Sequence, residues 1–290
     1  MFLQQLINGL MLGSVYALIA LGYTMVYGVM KFINFAHGDV FMWGAFLGLL
    51  SAKFIGPNFI VVLLLTMLLT GVLGVVIERI AYRPLRHAPR LVVTTSAIGM
   101  SLILSNLARL LIGSETYPIP KLLAVKGFHL GNALINTTQI LTLVTAVVLM
   151  LLLQWFINGT RYGKAIRAAS EDSETAGLMG ISMDQVVMVT FFIGSALGGA
   201  AGLLVGMYYD AVYATMGFSA GLKAFTAAIL GGIGSIPGAM IGGLILGVVE
   251  NFGASVLSSY RDGIAFAVMI LVLLFKPGGL FNAFIYQKRV

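Results

Sequence analysis

Long stretches without a single charged side chain dominate this sequence and limit what it can fold into. A helix needs about 20 mostly apolar residues to cross the hydrocarbon core of a bilayer. The uncharged stretches of roughly that length are residues 1–30, 54–77, 91–108, 130–160, 185–209 and 224–249. Two shorter stretches, 40–52 and 263–275, reach that length once their flanks are added. The pattern predicts an all-α polytopic membrane protein with about eight to nine transmembrane helices.

The small supply of charged residues excludes a water-soluble fold. Only 9% of the residues are charged, whereas soluble domains carry about 25%. The longest polar stretch, residues 158–184, is too short to fold alone. Residues 1–290 are therefore expected to form a single transmembrane domain. The N-terminus lacks a basic segment before its first apolar run, so no cleaved secretory signal is expected.

Basic residues concentrate in short connectors and predict the topology. The chain has 17 Lys and Arg against 10 Asp and Glu, a net charge of +7. Because Lys and Arg collect in cytoplasmic loops, residues 78–90 and 158–184 are expected to face the cytoplasm. The connector 113–137 and the N-terminus then lie outside. A nucleic-acid partner is not expected, because no basic face with interleaved aromatic residues is available.

A run rich in glycine, residues 231–243, interrupts the last third of the chain. A continuous helix through Pro237 and the neighbouring glycines would be poor. If the run reverses the chain, there are nine spans and the basic tail, with Lys276, Lys288 and Arg289, lies in the cytoplasm. If the run is only a kink, there are eight spans and the tail lies outside.

Glycines at four-residue spacing indicate tight helix packing. Gly194, Gly198, Gly202 and Gly206 lie on one face of a helix. Small residues at such positions let helix backbones approach closely in lipid. This stripe is expected to form part of a tight bundle or a subunit interface, with pore lining as the alternative.

The same glycine pattern occurs twice and indicates an internal duplication. A glycine-rich span (1–30) leads to a broken stretch and a further span (31–55). A second glycine-rich span (185–206) leads to a second broken stretch and a span at about 217–235. By the predicted topology the two units begin on opposite sides, as expected of an inverted repeat.

Polar residues at membrane depth are costly and mark candidate functional sites. Asn34, His37 and Asp39 precede a span. A helix that begins here would direct its backbone N–H groups and positive dipole end inward, as transporters with interrupted helices do toward carboxylate substrates. The alternative is an interfacial turn in which Asn34 or Asp39 caps the helix.

A second polar group, Lys223, Thr226 and Glu250, flanks the glycine-rich break. Lys223 and Glu250 could pair with each other, or either could extend to an interface. These three residues are further candidates for the translocation path, beside a structural alternative. Arg109 lies near the outer end of its span and is expected to extend its head toward water.

Common catalytic and nucleotide-binding motifs are missing from the sequence. There is no G-x-x-x-x-G-K-[ST], so the chain is not expected to bind ATP through a P-loop. His37, His87 and His129 are too scattered to form a metal site. We expect no cofactor or metal in this chain.

The connector 158–184 has an unusual distribution of charge. Strong helix formers over 164–179 predict a single helix. Its basic residues precede its acidic residues, which opposes the preference of the helix dipole. Such a helix is better explained by contacts with another protein, although a solvated linker is the alternative.

The sequence of this connector resembles the cytoplasmic coupling loop of the branched-chain amino-acid permeases of ABC importers. The resembling segment is RAASEDSETAGLMGI (167–181). The resemblance extends over nearly the whole chain. Further matching segments are INFAHGD (33–39), ERIAYRPLR (78–86), SAIGMS (96–101) and KAFTAAILGGIGSIPGAMIGGLILG (223–247).

The resemblance implies a multi-component importer in the cytoplasmic membrane of a prokaryote. Its expected partners are a second, related permease, two cytoplasmic ATPase subunits that bind MgATP, an external substrate-binding protein and membrane lipid. The segment expected to dock on an ATPase subunit comprises Arg167, Ala168, Glu171, Asp172, Ala176, Gly177 and Gly180. Permeases for urea or short amides look similar and are the nearest alternative. A stand-alone channel or ion-coupled carrier is the alternative from a different class.

Overall fold

The computed structural model describes residues 2–86, 88–124, 126–130, 133–256 and 260–281. Its helices are α1 (Phe2–Met30), α2 (His37–Ile55), α3 (Phe59–Ile77), α4 (Arg90–Leu111), α5 (Thr137–Gly159), α6 (Arg161–Glu171), α7 (Ser173–Leu178), α8 (Met183–Tyr209), α9 (Met216–Gly231), α10 (Ile236–Val256) and α11 (Arg261–Phe275). A small antiparallel hairpin joins β1 (Gly127–Leu130) to β2 (Ala133–Asn136). The predicted all-α membrane fold is confirmed.

Seven of the described helices are long and apolar enough to cross a membrane, namely α1, α2, α3 with its extension to Leu85, α4, α5, α8 and α10. The apolar helix α9 has 16 residues and α11 has 15, so both are shorter than a full span of about 20. The exact number of spans therefore stays a prediction.

Helices α1 and α8 form the buried centre of the bundle. Helix α1 packs antiparallel to α10, since Gly9 lies against Val248 and Gly13 against Leu244. Helix α8 packs on α1 and α2 through its glycine stripe, and on α3 through Gly199, which lies against Thr70. A Cβ on Gly194 would lie 3.3 Å from the Gly22 Cα atom. All four stripe residues (Gly194, Gly198, Gly202 and Gly206) are buried against other parts of this chain.

The glycine-rich run reverses the chain between α9 and α10. Gly232 and Gly234 have φ angles of 102° and 99°, which glycine adopts without steric cost. Beyond the turn, Gly238 packs on Gly231 and Gly242 packs on Ala227, so α9 and α10 run antiparallel. The reversal, rather than the kink, is the form that the chain adopts.

The end of α11 returns to this turn. The backbone N–H groups of Leu280 and Phe281 donate to the carbonyls of Leu230 and Gly231, at 2.8 and 3.2 Å. Lys276 therefore lies at the same end of the bundle as the α9–α10 turn. The basic tail residues Lys288 and Arg289 lie outside the described residues.

The two predicted cytoplasmic connectors lie at one end of the bundle, which we call the basic end. Arg83, in the α3–α4 connector, contacts Asp184 at the start of α8 at 2.5 Å. Lys31, just beyond α1, donates to the Ser170 carbonyl of α6 at 2.7 Å. At the opposite end, Leu134 of the β-hairpin donates its N–H to the Gln4 side chain. This placement agrees with the predicted topology.

The single helix predicted over 164–179 is wrong. Asp172 is extended, with φ −146° and ψ 105°, so it ends α6 and begins α7. Its carboxylate accepts the N–H groups of Glu174 and Thr175, each at 3.0 Å. The break also explains the charge order, because Glu174 then lies in the first turn of α7, where an acid is favourable.

Candidate translocation site

Helices α2 and α9 both begin inside the bundle rather than at its surface. Gly38, in the first turn of α2, packs against Gly217 and Gly221 in the first turns of α9. Met42 also faces Gly217, so the two helices cross antiparallel and overlap by about one turn. Their N-terminal, positive dipole ends therefore meet within the membrane-embedded part of the molecule. The predicted inverted repeat is compatible with this arrangement and stays a prediction.

Asn34 shapes the break between α1 and α2. Its side-chain oxygen accepts the N–H of Ala36 at 3.1 Å and the hydroxyl of Tyr82 at 2.5 Å. Asn34 is buried and holds the turn against the extension of α3. The structure therefore places Asn34 in the turn before α2, whose N-cap is Ala36, and outside the cavity walls described below.

His37 fills a gap between three helices. Its imidazole lies against Gly22 of α1 and Gly198 of α8. The ring of Tyr23 meets it edge-on, with centroids 4.9 Å apart. The side chain is buried and is not among the residues that line the cavities described below. The structure thus gives His37 a packing position at the start of α2.

A cavity of about 530 Å³ opens where α2 and α9 begin. One wall is a face of α4, and the other walls come from α1 and from the first turns of α2 and α9. Its polar side chains are Tyr23, Asp39, Ser101, Ser105, Arg109 and Thr215. Its larger apolar side chains are Phe35, Ile98, Leu102, Phe218 and Leu222. We call this space the central cavity.

Asp39 is the one predicted path residue that faces the central cavity. Its relative exposure is 4%, and the Ser101 hydroxyl donates to its carboxylate. The other buried carboxylates of the described residues are paired, Glu78 with Arg86 and Glu250 with Lys223 and Arg261. Within the described part of the chain, Asp39 alone among them has no basic partner.

Lys223 and Glu250 form an ion network in a different part of the bundle. Lys223 contacts Glu250 at 2.8 Å and Asp262 at 2.6 Å, and Arg261 contacts Glu250 at 2.6 Å. The pairing considered from the sequence is therefore present. A second cavity of about 450 Å³ lies beside this network. The network joins α9, α10 and α11, so its geometry is that of a helix clamp.

Thr226 does not face either cavity. Its hydroxyl donates to the Leu222 carbonyl one turn earlier, at 2.9 Å, and the side chain is buried. A hydroxyl that is satisfied within its own helix has no free donor to offer a substrate.

Helices α6 and α7 are held to the bundle at one edge and exposed at the other. Ile166 and Ala169 are buried against it, and Arg167 and Glu171 are exposed. Burial, aided by the charge of Arg90, lowers the pKa of Lys31, which contacts α6. Ala168 is half-buried and Ala176 is buried within this chain. These two residues therefore contribute less to the predicted docking surface than the exposed members of the segment.

The tip of α7 presents apolar side chains to solvent. Leu178 and Met179 are 85% and 80% exposed, and no atom lies near the Cβ positions of Gly177 and Gly180. Gly180, with φ 85°, ends α7: its N–H donates to Gly177 and that of Ile181 to Ala176. The capping hydrogen bonds from Thr175 and Glu174 lower the pKa of Asp172. We call residues 173–180 the α7 tip.

Comparison with known proteins agrees with this architecture. A family model described as "Branched-chain amino acid transport system / permease component" matches residues 5–273. The chain belongs to this family.

Relatives of known name match along the whole length. The branched-chain amino acid permease BraD of Pseudomonas aeruginosa is 47% identical, covering 96% of this chain and 95% of BraD. The permease LivH of Escherichia coli is 44% identical with the same coverage of both chains. The ribose import permease RbsC of Haemophilus influenzae is 28% identical over 93% of this chain and 83% of RbsC. This chain is therefore an ABC-type transport permease subunit and a multi-pass membrane protein.

The sequence did not reveal the α4 wall of the central cavity. Ser101, Ser105 and Arg109 recur every four residues, which places them on one face of α4. The sequence contains that spacing, but it does not show that α2 and α9 begin opposite this face of α4. Arg109 was expected only to extend toward water, whereas the structure places it in the cavity wall.

Proposed function

We propose that this permease is one of two related membrane subunits in an ATP-driven importer for branched-chain or related neutral amino acids. The observation that carries the proposal is its 44–47% identity to high-affinity branched-chain amino acid permeases over 96% of the chain. The central cavity, where two helices begin inside the bundle, supports a translocation path along its walls.

The assembly that fits this role has four further components. A second permease completes the path, two cytoplasmic subunits bind and hydrolyse MgATP, and an external binding protein delivers the amino acid. The bacterial relatives favour the inner membrane of a prokaryote as its location. We expect this chain itself to hold no cofactor.

Coupling to the ATPase subunits is proposed to run through α6 and the α7 tip. The exposed part of the predicted docking segment comprises Arg167, Glu171, Asp172, Gly177 and Gly180, and Leu178 with Met179 adds an apolar anchor. Exposed apolar patches of this kind are typical of protein interfaces. Closure of the ATPase subunits would move this segment, and the bundle would alternate between outward and inward access. ATP can bias these states only by binding them differently.

Urea or short amides remain the second candidate substrates. The resemblance to RbsC, a ribose import permease, indicates that similar chains serve importers with different cargo. In such systems the binding protein is expected to set much of the selectivity. The central cavity favours amino acids over urea because it combines a carboxylate, a guanidinium and several apolar walls.

Uptake by the assembled importer tests this proposal. Proteoliposomes that contain both permeases and both ATPase subunits are given the binding protein and radiolabelled leucine. We expect ATP-dependent accumulation that excess isoleucine or valine abolishes and excess urea, acetamide or ribose leaves unchanged. Accumulation that urea or acetamide suppresses, and isoleucine does not, would contradict the substrate assignment. Full uptake by this chain alone would indicate a channel or a carrier.

A further inference from the structure

We propose that the central cavity binds the transported amino acid as a zwitterion, with Asp39 receiving its ammonium group and Arg109 its carboxylate. This inference rests on the proposed function and adds to it a binding site within the permease. Permeases that receive cargo from a binding protein do not need such a site, so its presence is a separate question from transport itself.

The carboxylate of Asp39 lacks a counter-charge among the described residues. A buried charge without a counter-charge is costly, and charged residues at membrane depth are usually functional. Asp39 receives one hydroxyl from Ser101, and it has no basic partner within the described residues. It opens into the central cavity, where an ammonium group of a passing substrate would supply the missing positive charge.

The opposite charge lies farther along the same wall. Arg109 lies two helical turns beyond Ser101 on α4, a rise of about 12 Å. Side chains on a helix lean toward its N-terminus, so the guanidinium reaches back toward Ser105 and the cavity. Among the described residues, Arg109 forms no salt bridge. The first turn of α9, with Thr215 and Gly217 in the cavity wall, adds a positive dipole end that also favours a carboxylate.

The apolar walls match a branched aliphatic side chain. Phe35, Leu102 and Phe218 surround the cavity between the two charged ends. Phe218 is largely exposed in the isolated chain, so this wall stays open for passage. A transit site must bind weakly enough to release its cargo, and two charge contacts with an open apolar wall fit that requirement.

The second cavity is a poorer candidate for the same ligand. Lys223, Arg261 and Asp262 line it, but each of them contacts an opposite charge in this chain. A zwitterion would have to break existing ion pairs to bind there. In the central cavity, by contrast, Asp39 and Arg109 form no ion pair with the described part of the chain that a ligand would have to break.

The absence of cysteine allows a direct test. The chain has no Cys, so Ser105→Cys places a single thiol on this subunit, inside the cavity. The modification rate by a membrane-permeant thiol reagent is measured in the assembled importer without binding protein, with L-leucine as the probe. Its matched control is Ser255→Cys, because both serines donate to a carbonyl three residues earlier and Ser255 is exposed on α10, away from the cavity.

We expect leucine to slow modification at position 105 and to leave position 255 unchanged. 4-Methylpentanoate, which lacks the ammonium group, and 3-methylbutylamine, which lacks the carboxylate, should protect much less. Asp39→Asn keeps an acceptor for Ser101 and removes the charge. We expect it to raise the leucine concentration for half-protection by about tenfold or more, because hydrogen bonds to charged groups contribute about 1.5–3 kcal/mol.

Arg109→Gln provides a second variant that does not depend on burial, because Arg109 is exposed. We expect it to raise the leucine concentration for half-protection by about the same factor as Asp39→Asn. Equal protection by leucine and both analogues, or none by leucine, would overturn the proposal. If the leucine concentration for half-protection in Arg109→Gln equals the wild-type value, the assignment of Arg109 to the substrate carboxylate is overturned. A wild-type importer that accumulates leucine, with no protection of the thiol at position 105, refutes this site alone, whereas a wild-type importer that accumulates no amino acid refutes the proposed function.

Discussion

At the scale of single residues, charges buried in this permease differ in whether they have partners. Glu250 is fully buried and contacts both Lys223 and Arg261, whereas Asp39 accepts the Ser101 hydroxyl and has no basic partner among the described residues. A buried pair that loses one member leaves an uncompensated charge. The Glu250 network is therefore expected to support the fold, and Asp39 to act on a ligand.

We predict that Glu250→Gln destabilises the permease by about 3 kcal/mol or more, because it leaves Lys223 and Arg261 short of negative charge inside the bundle. The measurement is thermal or denaturant unfolding in detergent. Asp262→Asn is the matched control, since it removes another partner of Lys223 but its side chain is 60% exposed. An exposed partner contributes little, so equal destabilisation by both variants would contradict this assignment.

The sequence predicted the charged residues of the membrane interior but not their separate roles. Lys223 and Glu250 could be named as a pair because each is a lone charge beside an apolar run. Asn34 and His37 were singled out as polar residues near a helix start. Their positions, in the turn before α2 and in a packed gap, depend on Tyr82 and Gly22, which are distant in sequence. No local pattern reports such contacts.

At the scale of elements, the crossing of α2 and α9 depends on glycine. A methyl group on Gly38 would collide with the Gly217 carbonyl and approach the Gly221 Cα atom at 3.0 Å. Backbone atoms cannot move aside as a flexible side chain can. The two helices can therefore begin against each other only while glycine occupies the positions where they touch.

We predict that Gly38→Ala separates these helix starts and costs about 1–3 kcal/mol, the usual range for overpacking. Leucine uptake should fall with it, because the central cavity lies at this crossing. Gly99→Ala, in the middle of α4, is the control, since its Cβ would meet no atom within 4 Å. Unfolding in detergent and uptake are measured together. Wild-type stability and wild-type uptake in Gly38→Ala would show that the crossing of α2 and α9 does not require glycine at this position.

The α7 tip also depends on one backbone conformation. Gly180 has φ 85°, and a residue with a side chain costs about 1 kcal/mol or more there. We predict that Gly180→Ala speeds hydrogen exchange over 173–181 by about fivefold, the equivalent of 1 kcal/mol. Gly177→Ala, in the α-helical part of the tip and with equally open surroundings, should not. Equal exchange in the two variants would contradict this account of the helix end.

The elements themselves follow closely from the sequence. Uncharged runs predicted the long helices, and the glycines near Pro237 predicted a break that could be a reversal or a kink. Residues 164–179 were predicted as one helix because propensity was summed across Asp172. The side chain of Asp172 instead caps a new helix, and that competition between capping and helix continuation is decided by local geometry.

At the scale of the whole molecule, the permease has a closely packed centre and two differently exposed ends. Helices α1 and α8 are buried by their neighbours, and the central cavity lies where α2 and α9 begin, between α1 and α4. The α7 tip lies at the basic end with apolar side chains facing out. The proposed function requires force applied at that end to reach α2 and α9 through α1 and α8, the helices on which α6 packs.

We propose that separate ATPase subunits drive this permease through the α7 tip. The most direct measurement compares ATP-dependent leucine uptake in proteoliposomes between the wild-type importer and the double variant Leu178→Ser, Met179→Ser. Both residues are exposed, so the fold should be unaffected, and Leu123→Ser with Phe128→Ser makes a matched change in the connector at the opposite end. The account predicts that the tip variant stays folded and loses most uptake, while the control keeps it. Undiminished uptake by the tip variant would contradict the claim.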